Sequence, residues 1–267
     1  MDGNQEISRR SALGVLGVLG TSVILSGDAE KFPVPRPHTN LAPVPTVQAA
    51  AAPSPTPTPS LSVPVPVRRK PVRYVHDLVK DPPKHGIALT IDDGPHPEWT
   101  PKVLDLLDKH EVKATFFVIG EQVPDNAKLV REIVEAGHGI ANHTQTHPLW
   151  MPGLTAKQIE REITEAYLRI HETTGATPHL FRAPGGNWSP KVFKAIAHHG
   201  LHPIDWDIDP RDWARPGVNH IEQQMMRARG GDILLCHDGG GDRSQTVASL
   251  RYVLPRLQDR GLEFIRL

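Results

Sequence analysis

From about residue 86 onward the chain alternates between short continuous apolar runs and longer stretches whose apolar residues recur every three or four positions. The first pattern fits buried strands and the second fits helices with one apolar side. Ile87-Ala88-Leu89-Thr90-Ile91 and residues 114–118, 137–142, 179–181, 202–206, 232–236 and 262–267 read as strands. Between them, residues 101–110, 126–136, the stretch after 155, and 190–199, 218–229 and 246–260 read as helices. Polar residues punctuate these runs where helix ends need them. Thr100 and Pro101 suit a cap and first turn, Asp125 caps the second helix, and Gly137 ends it. Thr155-Ala156-Lys157-Gln158 has the form of a capping box, and Ile159, Ile163, Ala166, Tyr167 and Ile170 give the helix behind it an apolar face. About seven βα units result, which calls for a parallel sheet covered by helices, either a barrel or a doubly wound sheet. No Gly-x-Gly-x-x-Gly or P-loop follows a strand, so no nucleotide is expected as a partner.

The chain before this region follows other rules. Ser8-Arg9-Arg10-Ser11-Ala12-Leu13 leads into an apolar, Gly-rich stretch ending at Leu25, too short and weak for a confident spanning helix. Paired arginines before such a stretch resemble a bacterial twin-arginine export signal, although Ala12 stands where a bulky residue is common. An ordinary secretory signal or an uncleaved anchor is the alternative, and an anchor would be the only membrane contact. Gly27 and Ala29 permit cleavage after Ala29, with Ala49, Ala50, Ala51 and Ala52 as later options. From Phe32 to Pro71 proline recurs densely, as in Pro53-Ser54-Pro55-Thr56-Pro57-Thr58-Pro59, which favours an extended, solvated spacer. The expected division is a signal or anchor over 1–29, a Pro-rich linker over 30–75 and a folded domain over 76–267.

Composition narrows the field. The 267 residues carry 30 Lys and Arg against 30 Asp and Glu, a balance that argues against a polyanion-binding surface and hence against a nucleic-acid partner. A single cysteine excludes an intramolecular disulfide. That residue, Cys236, falls in Ile233-Leu234-Leu235-Cys236 and reads as a small buried hydrophobe.

Candidate chemistry gathers where the expected strands end. Asp92 and Asp93 follow the first strand, and His143-Thr144-Gln145-Thr146-His147 follows the strand at 137–142. Two histidines four residues apart converge on one ion if the segment makes a helical turn. Two imidazoles and a carboxylate form a known catalytic zinc set with a position left for water or substrate. The chain has 15 histidines, so the spacing alone is weak. In a parallel barrel, however, the loops at the carboxyl ends of strands build the active site. Those loops also hold Arg182-Ala183-Pro184-Gly185-Gly186, residues 205–213, and His237-Asp238. His198, His199 and His202 sit at a helix end and turn, where solvated surface or a dipole contact explains them.

These five segments, in this order, resemble the five motifs of the polysaccharide deacetylase family, the NodB-homology domain of carbohydrate esterase family 4. The similarity covers residues 86–267. It implies an α/β fold, a distorted (β/α) barrel of about seven parallel strands. It also implies metal-dependent removal of acetyl groups from N-acetylglucosamine polymers or, in some members, from acetylated xylan. Carried over residue by residue, the resemblance makes Asp93, His143 and His147 the metal ligands and Asp92 the general base. Arg182 is similar to the arginine that pairs with that base, and a nearby cation favours a charged carboxylate. His237 matches the general acid and Asp212 the residue that holds it. After Pro184, the backbone N–H of Gly185 is implied as an oxyanion donor, while Trp213 and Leu235 would line the acetyl pocket and sugar surface. Many members have an aromatic residue where Gly185 stands, so a wall of the groove is missing and Trp188 is either its substitute or a core residue. Asp205, Asp207, Asp209 and Asp238 are expected to be loop caps or to support other site groups.

The expected cofactor is a divalent metal, zinc first, with cobalt, nickel or manganese as alternatives because geometry and availability decide. The expected function is N-deacetylation of a wall polymer, peptidoglycan or chitooligosaccharide, outside a bacterial cell. An acetylxylan-type O-deacetylase and a noncatalytic wall-polysaccharide-binding module are the competing readings. Oligomeric state is not implied.

Overall fold

Residues 65–267, which are the part this computed structural model describes, realise the alternation as seven strands and six helices. The expected signal and most of the expected linker lie outside the described residues. In chain order the elements are β1 (Gly86–Asp92), α1 (Trp99–Lys109), β2 (Thr115–Val118), α2 (Ala127–Glu135) and β3 (Gly139–Asn142). They continue with α3 (Ala156–Thr174), β4 (Leu180–Phe181), α4 (Pro190–His198), β5 (His202–Pro203), α5 (Val218–Met225), β6 (Ile233–His237), α6 (Ser244–Asp259) and β7 (Glu263–Phe264). All strand pairs are parallel. The sheet runs β5-β4-β3-β2-β1-β6, with β7 paired to the start of β1.

Of the two architectures open to the βα pattern, the structure adopts the distorted barrel. Its end strands are joined through the chain itself: Val72 bridges Ile204 beside β5, Tyr74 bridges Asp232 beside β6, and Ile208 bridges Leu234 within β6. The fold therefore takes in chain before residue 76, with Val72 and Val75 buried.

Side chains alternate across a strand, and that alternation sorts the core into layers. Ile87, Leu89 and Ile91 of β1 and Leu234 and Cys236 of β6 pack outward against Leu107, Leu250 and Leu254 of α1 and α6. Ala88, Phe117, Ala141, Leu180, Ile204 and Ile233 point the other way and fill the interior with Val72 and Val75. Each fully buried Ile, Leu or Phe contributes about 1.5–3 kcal/mol relative to exposure. Counting by twos from this inner layer reaches Asp92 from Ala88, His143 from Ala141, Arg182 from Leu180 and His237 from Ile233. One alternation thus places all four on the inner face at the carboxyl ends of their strands.

Helix ends follow local chemistry, with two departures. In α3 both halves of the capping box form: Thr155 Oγ1 accepts from Gln158 N, and Gln158 Oε1 accepts from Thr155 N at 2.9 Å. Thr100 lies inside α1 instead of capping it, because its hydroxyl accepts from His96 N at 2.8 Å and donates to Asp238 Oδ2 at 2.6 Å. Asp125 does not cap α2; Asn126 holds that position and donates its amide to Gln122 O.

Candidate active site

β1 and β6 place Asp92 and His237 directly opposite each other, and the next residue, Asp93, leaves the strand with φ of +73°. Aspartate tolerates this left-handed conformation better than most residues, and it separates the directions of two neighbouring carboxylates. The two histidines reach the same place from a loop after β3, without the helical turn that would be one way for residues four apart to converge. The segment from His143 to His147 is irregular, with φ of +71° at Thr144 and +56° at His147. Residues held in such conformations cost about 1–3 kcal/mol each and persist where surroundings fix them. Here Glu162 of α3 fixes them: its carboxylate accepts from Thr146 N and Thr146 Oγ1, both at 2.8 Å. Thr144 Oγ1 then accepts from His147 N at 3.0 Å. Glu162 was not among the expected site residues, although the sequence marks it as an acid inside the apolar stripe of Ile159, Ile163 and Ala166; it is buried.

Asp93, His143 and His147 bring three ligand atoms within 4.8 Å of one another. Asp93 Oδ1 is buried, makes no hydrogen bond among the described residues, and faces His147 Nε2 at 3.1 Å and His143 Nε2 at 3.5 Å. His143 Nδ1 lies 2.9 Å from the carbonyl oxygen of Arg182, which can only accept, so Nδ1 carries the proton. In the neutral ring the lone pair then sits on Nε2 and points at the carboxylate. Burial opposes ionisation of Asp93; without a cation between them, Nε2 protons on the two imidazoles face the carboxylate, outweigh burial and hold the carboxyl well below the usual carboxylate range, and a bound cation would take the place of those protons. A convergence of lone pairs in a nearly dry place fits a divalent cation. Replacing His143 by alanine should leave the protein without bound metal, measured by elemental analysis. Its melting temperature should also no longer respond to a chelator that lowers that of the unaltered protein, since a ligand bound only to the folded state stabilises it. Full metal occupancy in that variant would remove His143 from the set.

Arg182 is wholly buried, so its ion pair is not a surface one. Its Nη1 donates to Asp92 Oδ1 at 2.6 Å and its Nη2 to the Asp205 carbonyl at 3.0 Å, while its guanidinium carbon lies 4.1 Å from the centroid of the Phe117 ring. One residue thereby holds Asp92 through its side chain and His143 through its carbonyl.

On the other flank, buried Asp212 accepts from His237 Nδ1 at 2.7 Å, His237 N at 2.9 Å and Thr246 Oγ1 at 2.7 Å. Burial favours neutral Asp212, yet attraction to His237 and these hydrogen bonds lower its pKa. Burial likewise works against a charged His237, but the Asp212 carboxylate, with Asp93 and Asp92 behind it, raises its pKa to about 9.

These groups share a cavity of about 440 Å³ lined by Asp92, Asp93, His143, His147, Gly185, Trp213, Leu235 and His237. Leu149, Trp206, Asp209, Gly240 and Arg243 complete its wall. Of the residues singled out around the motif proline, Gly185 lines the cavity and Pro184 is buried outside that lining. Gly185 has φ of +61°, and a Cβ there would meet Asn187 Nδ2 at 3.0 Å. The local conformation therefore disfavours the aromatic residue whose absence the sequence shows. Trp188 does not replace it: its ring stacks on Phe193, its Nε1 donates to Asp205 Oδ1, and it packs against a buried cluster. Leu149 is the hydrophobic side chain nearest that gap, 3.7 Å from the same Cβ position. Trp213 is 49% exposed in the cavity wall, with the Arg211 guanidinium carbon 5.3 Å from its ring centroid, whereas Leu235 is a buried part of the lining.

The remaining polar residues divide. Asp209 lines the cavity and accepts from Arg211 N, Asp207 accepts from the Tyr74 hydroxyl, and burial raises Asp238 to about 7 beside its Thr100 hydrogen bond. His199 is a correction: it is buried rather than solvated, and its Nε2 contacts Glu160 Oε1. Cys236 is buried as expected, which pushes its thiol pKa up. A second cavity of about 540 Å³, near Tyr74, Asp207 and Asp232, contains none of the residues expected to bind metal, substrate or protons.

Comparison with known proteins places this arrangement. The polysaccharide deacetylase family model matches residues 79–204. A peptidoglycan-N-acetylglucosamine deacetylase of Bacillus cereus is 44% identical over 182 residues, covering 67% of this chain and 84% of that protein. A chitooligosaccharide deacetylase of Sinorhizobium fredii is 40% identical over 203 residues, covering 69% and 94%. Among solved structures, a peptidoglycan N-acetylglucosamine deacetylase superposes with a TM-score of 0.66 at 31% identity, over 69% of this chain and 86% of the other.

Proposed function

Because this chain belongs to the polysaccharide deacetylase family, we propose that it is an exported, metal-dependent N-deacetylase acting on a polymer that contains N-acetylglucosamine. It is a hydrolase of carbon–nitrogen bonds in polysaccharides, as its relatives are. Peptidoglycan is the first candidate substrate and chitooligosaccharide the second, following the relatives named above. Export rests on the paired arginines and apolar stretch before residue 26, and the Pro-rich linker would set the domain off from the membrane or thread it into the wall.

The observation that carries the reaction is the pair of fixed side chains flanking the Asp93, His143 and His147 set, Asp92 held by Arg182 and His237 held by Asp212. Those three residues would hold the metal, zinc by preference, which when bound supplies a Lewis acid for the acetyl oxygen and lowers the pKa of water. Asp92 engages Arg182 through Oδ1, leaving Oδ2 to take a proton from the water that attacks the acetyl carbon. The Gly185 N–H is assigned as a donor to the oxyanion formed as the new carbon–oxygen bond closes. His237, with Nδ1 committed to Asp212, presents Nε2 and is protonated at neutral pH, so it can deliver a proton to the amine nitrogen as the carbon–nitrogen bond breaks. Acetate and the amino sugar result. Trp213 and Leu149 border the opening and suit a sugar ring on one face.

The test is acetate release from chitooligosaccharide and from peptidoglycan by protein stripped with a chelator and then reloaded with zinc, cobalt, nickel or manganese. Release should vanish on stripping and return with zinc. Undiminished release from stripped protein would refute metal dependence, and no release with binding intact would favour a binding module.

A further inference from the structure

The cavity holds a cation that the proposed reaction does not use. Arg243, at the start of α6, is 4% exposed and lines the wall near Trp213 and Gly240. Its Nε donates to Gly239 O at 2.6 Å and its Nη1 reaches Trp213 O at 3.4 Å. Nη2 makes no hydrogen bond among the described residues, and Arg243 forms no ion pair there; the adjacent Asp242 is engaged by Arg215 at 2.7 Å. Gly240 lies between this guanidinium and the metal set. With φ of +72°, it occupies a place where a Cβ would come within 2.9 Å of Asp93 Oδ2 and 3.2 Å of Arg243 Nη2. Bare backbone there keeps the guanidinium open to the same space as the reacting groups.

A guanidinium stays charged at any accessible pH; Asp242 beside it and Asp93 across Gly240 act on it without contacting it, and a buried charge that no carboxylate contacts is costly. An acetamide is neutral and does not answer that cost. We propose that Arg243 binds a carboxylate that enters the cavity during turnover. The inference rests on the deacetylase reading. Two carboxylates fit it: the acetate that the reaction makes, and the lactyl ether carboxylate of a muramoyl sugar beside the one being deacetylated. Both match a planar fork of N–H donors.

Arg243→Gln and Arg243→Lys test this through three quantities: inhibition by added sodium acetate, KM for a chitooligosaccharide, and KM for a peptidoglycan fragment with free lactyl carboxylates. Losing one charge-assisted contact should raise the acetate inhibition constant about tenfold, or raise KM for the fragment about tenfold more than KM for the neutral oligosaccharide. The first outcome assigns the site to product and the second to polymer. If the glutamine variant does not fold, the lysine variant carries the test, with a smaller shift because it keeps the charge and loses the fork. Unchanged acetate inhibition together with equal changes in both KM values would overturn the proposal. Failure of the deacetylase reading is separately visible, as an unaltered protein that releases no acetate from either substrate.

Discussion

Asp92→Asn should lower turnover by about 10²–10⁴-fold, the range for losing a general base, while metal content stays near that of the unaltered protein. Asparagine is the informative replacement because it keeps an oxygen for Arg182 Nη1, which donates to Asp92 Oδ1 at 2.6 Å. Removing the acceptor altogether would strand a fully buried guanidinium, and breaking a buried pair in that way costs about 3–5 kcal/mol. Even the asparagine variant should melt below the unaltered protein, since it pairs a charge with a dipole. Assaying turnover, metal and melting temperature together separates the roles of the neighbouring carboxylates. Loss of metal in step with activity would mean that Asp92 and Asp93 have been assigned the wrong way round.

His237→Ala should depress kcat far more than it weakens substrate binding, because a protonated acid matters only as the amine departs. The pH profile of Asp212→Asn gives a sharper readout. In the proposed role His237 acts when protonated, and a pKa raised to about 9 favours that form until pH rises through that value. Burial pushes this imidazole toward neutrality and the Asp212 carboxylate is the largest opposing influence, so removing that charge lowers the pKa. The alkaline fall in kcat should therefore move to lower pH in Asp212→Asn. An unmoved alkaline limb would assign it to another group.

Much of this site was legible because it lies at strand ends. The apolar runs at residues 87–91 and 232–236 mark β1 and β6, and the polar residues that follow them land side by side because parallel strands in register bring their carboxyl ends together. The family resemblance then assigned roles that spacing could not, since nothing in Asp92-Asp93 says which carboxylate faces Arg182. What stayed hidden depends on contacts between distant segments. A four-residue spacing permits a helical turn but does not give the shape of the loop from His143 to His147; Glu162, supplied by α3, sets it. Thr100 reads as a cap until Asp238, 138 residues away, accepts a hydrogen bond from its hydroxyl. Val72 and Val75 sit at the end of a Pro-rich run whose composition suggests a linker, and only the gap between β5 and β6 makes them interior residues. Nothing local marks Arg243 as buried, since Gly239 and Trp213 close around it only in the folded chain.

Removal of acetyl groups from the nitrogen of a glycan leaves two products that can be counted against each other. Zinc-loaded protein is incubated with N-acetylated chitooligosaccharide and with peptidoglycan, and released acetate is counted against newly formed free amines, the latter located by mass spectrometry. Equal amounts of acetate and amine on N-acetylglucosamine residues are predicted. Acetate without new amines, or neither product from both polymers, would contradict N-deacetylation.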